Sequence, residues 1–439
     1  MTSSRWVSRP TLMLILLCAA ALLLGLTIAS PNASAATSEG LQCETSDTGT
    51  FTLTATSGYI LTPDGNSIFM WSYAGANGQF QLPGPTLCVA EGSTVTVVLH
   101  NQLPEPTSLI FPGQSGVTAD GTPAQPTFVA GTLTSLTKPA AARTGTVTYS
   151  FVATHPGTFL YESGTDVAKQ VQMGLYGALI VRPVENATTL SGQAYHSADS
   201  VFDPSHEYLQ LLSEIDPALH LAVERNRPYD VTKLTSRYFL INGRSMPDTI
   251  APNNAAWLPA QPYGGTVHIQ PFQPDPSLPG EHQPALIRYL NAGMGTYPFH
   301  PHGNDQRVIG RDGYALGATT AGTTDRSYEK FLIDIGPGQT VDTTLTWTDV
   351  EGYSPDNPIP VDLPAVQDQI VSPDTWFSES PYLGFTGALP VGVTSNNQCG
   401  EYYHVAHSHA LQQATNYGAT FGGMMTLIRI DPPAGCPAP

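Results

Sequence analysis

Basic residues are scarce: the 439-residue chain has 17 Lys and Arg against 35 Asp and Glu. A surface this acidic repels phosphate backbones and anionic bilayers, which argues against nucleic acid as a partner. Charge of either sign is also low, at 12%, whereas Gly (41) and Pro (39) are abundant. That balance disfavours a helical protein and favours short strands joined by turns. Cysteine is rare as well. Of five, Cys18 lies in the N-terminal apolar run, leaving Cys43, Cys88, Cys399 and Cys436 with no C-x-x-C spacing. None lies within a paired-histidine motif either, so cysteine reads as structural, and an even number in a secreted chain predicts two disulfides, with all three connectivities open. Apolar runs able to span a bilayer are missing after residue 29. The one that exists, Leu12–Ala29, follows Arg5 and Arg9 and precedes Ala33-Ser34-Ala35. This order predicts a secretory signal peptide over residues 1–35, an uncleaved anchor being the rival reading, and a secreted, extracellular or cell-envelope location. Cleavage would leave 15 basic and 35 acidic residues, a formal charge of −20, and no membrane span.

What is present is alternation. Thr94–Leu99 and Thr146–Phe151 switch between apolar and polar residues with period two, the mark of half-buried antiparallel strands. Similar short runs recur from Phe51 to Val181 and again from His206 to Ile430. The spacing predicts an all-β chain of two Greek-key barrels or sandwiches: an N-terminal domain over 36–184, a linker over 185–205 and a C-terminal domain over 206–433. Asn253–His282 and Glu351–Asn397, rich in Pro, Gly and Asp, read as surface loops, and Ser213–Arg227 as the one short helix.

The residues that point to chemistry are histidines. His300 and His302 are one residue apart and so share a strand face; His407 and His409 repeat the spacing. Two such pairs on neighbouring strands could converge on one metal ion, and neutral imidazoles suit Cu(II) or Zn(II). The two domains also read as repeats. Glu162-Ser163-Gly164 precedes Gly177 by the same twelve residues that separate His407-Ser408-His409 from Gly422. Ser108–Gly113 likewise superimposes on Pro298–Gly303, so Ile110, Pro112, Glu162 and Gly164 occupy the places of His300, His302, His407 and His409. Only the second unit carries imidazoles. His404, three residues before His407, belongs to the opposite strand face unless a bulge intervenes. It and Glu162 are additional candidate ligands, Glu162 also as a general base.

Gly84-Pro85-Thr86-Leu87, Glu91–Val95, Asn101–Ser108, Val171–Gly177, Ile241–Arg244, Leu290–Gly293, Pro298–Gly303 and His407–Met424 together resemble the multicopper oxidase family, across most of the chain after residue 35. The resemblance implies tandem cupredoxin-like barrels and copper as cofactor. It also permits a homotrimer, the assembly common among two-domain members. By motif match His300 would take a type 2 copper position, and His302, His407 and His409 type 3 positions. The blue-copper ligands of the family fall on Tyr297, Ser408 and Gln413, which cannot replace a thiolate and two imidazoles. Half of the trinuclear ligands fall on Ile110, Pro112, Glu162 and Gly164. The expectation is a reduced, non-blue mononuclear or binuclear site holding one or two copper ions, with zinc as the alternative. Two functions compete: an oxidoreductase acting on oxygen or a small molecule, with ordinary laccase turnover disfavoured, and a non-catalytic protein that binds or stores copper or serves in assembly.

Overall fold

A computed structural model describes residues 39–184, 192–269, 284–303, 305–319, 322–347, 402–418 and 422–430, together with the backbone pairing of 361–362 with 394–395. The main strands of the first half are β1 (Thr50–Leu61), β2 (Ser67–Ala74), β3 (Leu87–Ala90), β4 (Thr94–Asn101), β5 (Thr118–Ala119), β6 (Thr146–Val152), β7 (Gly157–Glu162) and β8 (Tyr176–Arg182). Those of the second are β9 (Glu207–Ile215), β10 (Tyr238–Ile241), β11 (Val267–Ile269), β12 (Ala285–Asn291), β13 (Tyr297–Pro301), β14 (Gln306–Arg311), β15 (Ile333–Ile335), β16 (Thr340–Leu345), β17 (Tyr402–Ser408) and β18 (Met425–Ile430).

Alternation becomes burial. Val95, Val97 and Leu99 of β4 point into the first core with Val147, Tyr149 and Phe151 of β6, while the intervening Thr and Ser face outward. Each half is a barrel of two sheets. The first has the strand order β2-β1-β4-β6-β5 opposite β7-β8-β3; the second has β10-β9-β12-β16-β14 opposite β11-β18-β17-β13-β15. The correspondence extends to direction, since β1 runs parallel to β4 and antiparallel to β2, as β9 does to β12 and β10. The fold is thus all-β, as expected.

Strand β9 does not alternate. Every residue of Glu207–Ile215 is buried, because Tyr208 and Leu212 face the second core while Leu209, Leu211 and Ile215 join a separate cluster with Met70, Leu82, Leu160 and Ala178 of the first barrel. That cluster packs the barrels against each other through two apolar faces, each fully buried Leu or Ile contributing about 1.5–3 kcal/mol.

Two local expectations change. The helix expected over Ser213–Arg227 begins only at Pro217: β9 runs through Ile215, then Asp216 Oδ1 caps the helix Pro217–Glu224 by accepting from the Ala218 and Leu219 amides (2.8 and 3.4 Å). Within the expected loop Asn253–His282, Val267–Ile269 is a strand, pairing parallel with β18. In the segment between the barrels, Ala194, Tyr195 and Phe202 are buried against Leu286 and Ile309. Tyr195, with aromatic bulk and a hydroxyl, both fills that gap and reaches Asp342. Cys43 and Cys88 form a disulfide; Cys399 and Cys436 lie outside the described residues.

Candidate metal centre

Strand β13 buries Tyr297, Phe299 and Pro301 and turns Pro298 and His300 the other way. Across from it, β17 sends Ala406 and Ser408 inward. His300 pairs directly with His407, the His302 amide donates to the Val405 carbonyl (2.8 Å), and the His409 amide donates to the Pro298 carbonyl (2.7 Å). All four imidazoles therefore stand on one outward face. The ring centroids are 4.7 Å apart for His300–His302, 5.2 Å for His302–His407, 5.4 Å for His300–His409 and 5.7 Å for His407–His409.

The closest approach is between His302 Nε2 and His407 Nε2, at 3.1 Å. Burial and the adjoining imidazoles hold His302 down to about 4, and burial lowers His407 too, so both rings are neutral near neutral pH. His407 Nδ1–H donates to the Ser408 carbonyl (2.9 Å), which leaves the lone pair on Nε2. The proton between the rings then sits on His302 Nε2, where a cation can displace it. An ion about 2.0–2.1 Å from both nitrogens would see them about 98° apart, between square-planar and tetrahedral angles. His300 is oriented in the same way: its Nδ1–H donates to the Phe331 carbonyl (2.7 Å), turning its Nε2 lone pair outward. Backbone carbonyls do this orienting, and nothing in the sequence marks them out.

Among the described residues no three His, Cys, Asp or Glu side chains converge on a metal position. His404 is also set apart. Strand β17 runs in unbroken register with β18, so no bulge turns His404 toward the others. It lies on the inner face, 5% exposed, beside Trp347 and over Gly303, with both ring nitrogens lacking hydrogen-bond partners.

The first barrel repeats the frame without the ligands. Ile110 and Glu162 pair by reciprocal backbone hydrogen bonds (2.8 and 3.2 Å) in the register that joins His300 to His407. Tyr176 opposes Glu162 and Met425 opposes His407, so the return strand comes four residues later in the second barrel than the equal twelve-residue spacing implies. A side chain at Gly164 would force Ile110 to shift, since a Cβ there would lie 2.7 Å from the Ile110 side chain. Glu162 turns instead to a cavity between the barrels, described below. At the blue-copper positions Tyr297 is buried, and Ser408 Oγ donates to Gln413 Oε1 while Gln413 Nε2 donates to the Thr296 carbonyl (3.2 Å). These residues fit one ion on two imidazoles with open coordination positions. They do not fit blue copper or a trinuclear cluster.

Residues 69–186 match the multicopper oxidase family model. A stretch of 109 residues, 25% of the chain, is 38% identical to the L-ascorbate oxidase of Cucurbita maxima and covers 17% of that protein; the enzyme of Cucurbita pepo var. melopepo matches at the same identity. The chain thus matches less than a fifth of the length of these curated relatives. Among solved structures, the blue copper oxidase of Nitrosomonas europaea superimposes with a TM-score of 0.53 at 20% identity, over 86% of this chain and 85% of that one. The multicopper oxidase mgLAC gives 0.54 at 18% identity, over 91% and 88%. Residues 69–186 are therefore a segment that matches the multicopper oxidase family model, and the two barrels share the fold of these copper oxidase structures.

Proposed function

We propose that this is an exported copper-binding protein that holds a single copper ion on His302 Nε2 and His407 Nε2, with no blue copper and no trinuclear centre. The observation that carries this reading is the 3.1 Å approach of two neutral imidazoles, one with its outer nitrogen already committed to a carbonyl. Family and donor set both favour copper over zinc, which lies lower in the affinity order. His300 Nε2 offers a position for a second ion, which would make the site binuclear.

Copper on imidazoles would supply one-electron chemistry to oxygen or a small molecule reaching the open positions. The chain's own residues hold the ring tautomers fixed and keep His302 and His407 unprotonated. With Ser408 where a thiolate would stand, there is no relay for electrons from a distant donor, so a substrate would have to meet the site directly. That absence favours the second reading, a non-catalytic protein that binds or stores copper. The apolar side chains exposed on the hairpin 127–135, Phe128, Val129 and Leu133, support self-association, and a homotrimer is the assembly proposed. The N-terminal segment, with its apolar run and Ala-x-Ala signal, supports secretion.

Loading the purified protein with Cu(II), followed by metal analysis, EPR and light scattering, tests these points. A single copper with a type 2 EPR signal and weak visible absorption, lost in His302→Ala and His407→Ala, is the expected result. Intense thiolate-to-copper colour, or copper retained in both variants, would overturn it. Turnover of a phenol or ascorbate by the loaded protein separates the oxidoreductase from the binding protein, and a monomer in solution rejects the trimer.

A further inference from the structure

A cavity of about 400 Å³ opens between the two barrels, lined by Glu162, Gln172, Glu214, Gly293, Met294 and Val171 among others. Nothing in the copper reading uses it. Glu214, on β9, is 4% exposed. Its Oε1 accepts from the Met294 amide (2.7 Å) and from Gln172 Nε2 (3.3 Å), but its Oε2 has no hydrogen-bond partner. A Cβ on Gly293 would collide with that oxygen and with the Tyr297 hydroxyl, which is also unpartnered. Glycine thus keeps a gap in front of a buried carboxylate. Glu162 at the end of β7 adds a second carboxyl to the same lining, which contains no Lys, Arg or His.

An unpartnered buried carboxylate is costly unless something donates to it. The Tyr297 hydroxyl could serve one of these carboxyls, but with no facing cation in the lining the pair together favours a positively charged donor. A hard divalent ion is disfavoured, because it takes about six or more oxygen donors and two carboxyls supply too few. The remaining wall is aliphatic, with Val167, Ala168, Val171, Ala292 and Pro337. We infer that this inter-barrel cavity binds a small primary-amine cation with a short apolar body, its ammonium donating to Glu214 Oε2 and its alkyl part lying against the aliphatic wall. The inference is independent of copper. A volume near 400 Å³ is within the range of small-molecule sites.

The test is calorimetric titration of the intact, metal-free protein at about pH 8, above the ordinary carboxylate range, with n-butylammonium, n-butanol and butyrate. Binding of n-butylammonium alone is expected, weakened tenfold or more in Glu214→Gln and in Gly293→Ala, which keeps the carboxylate but fills the gap. Glu162→Gln, at the half-buried strand end, provides a check less dependent on the core and should weaken binding at least threefold. No heat with n-butylammonium, equal binding of n-butanol, or unchanged affinity in folded Glu214→Gln and Glu162→Gln would overturn the inference.

Discussion

At the level of single residues, identity and environment pull apart. His300, His302, His407 and His409 share a residue type and a sheet face, yet only His302 and His407 bring their Nε2 atoms within hydrogen-bond distance. Replacing His409, which is exposed, should reduce copper affinity far less than replacing His407, whose lone pair is fixed by the Ser408 carbonyl. Parallel copper titrations of the two alanine variants measure the difference, and equal losses would reject the two-imidazole site. Glu162 shows the reverse case, a residue whose position was legible and whose surroundings were not. Burial pushes its carboxyl up to about 7. The folded state then binds more protons than the unfolded one between the ordinary glutamate value and about 7, so this group's contribution to stability is present at low pH and is lost as pH rises through that window. Denaturation midpoints of Glu162→Gln should gain on the parent protein at pH above 7 and match it at pH 4, and a gain confined to acid would contradict the sign.

At the level of elements, periodicity located strands well where one face is wet. β4 and β6 were readable for that reason, whereas β9, buried on both faces, carried no alternation to separate strand from helix and its end was read as helix. The helix start is decided by Asp216, whose Oδ1 caps the first turn while its Oδ2 accepts from the Tyr229 hydroxyl (2.5 Å) and the Thr235 amide (2.7 Å). Asp216→Ala should cost about 2 kcal/mol or more, the upper end for a lost N-cap because the site is buried. Urea unfolding measures it, and a loss under about 0.5 kcal/mol would show the cap to be dispensable. The Cys43–Cys88 bridge anchors the chain ahead of β1 to β3 and closes a loop of 45 residues. In the chain-entropy picture its removal costs about 4 kcal/mol, so Cys43→Ser/Cys88→Ser should melt well below the parent.

At the level of the whole molecule, the barrels are joined by charge as well as by apolar packing. Arg288 is fully buried in the second barrel; its Nε donates to Glu207 (2.8 Å) and its Nη1 to Thr158 of the first barrel (2.9 Å). Thr158 in turn donates to Asp342 (2.6 Å), which also accepts from Tyr195 of the segment between the barrels. Removing the cation leaves the buried Asp342 without a facing charge and Glu207 with Arg182 alone. Arg288→Met should therefore destabilise by about 3–5 kcal/mol, and calorimetry should show whether the barrels still melt together. A fully stable variant would mean the network contributes nothing net.

The sequence by itself determined the strand alternation, the internal repeat and the residue identities at Tyr297, Ser408, Gln413, Ile110, Pro112, Glu162 and Gly164, because these depend on residue type and on spacing along one strand. Even the equivalence of Ile110–Glu162 with His300–His407 was readable, since repeats share register. Tertiary structure alone decided which two of four imidazoles meet, that His404 faces inward, and that Glu214 lies unpartnered between the barrels. Those outcomes depend on ring tilt, on backbone carbonyls and on the packing of elements distant in the chain, none of which leaves a periodic mark in the sequence.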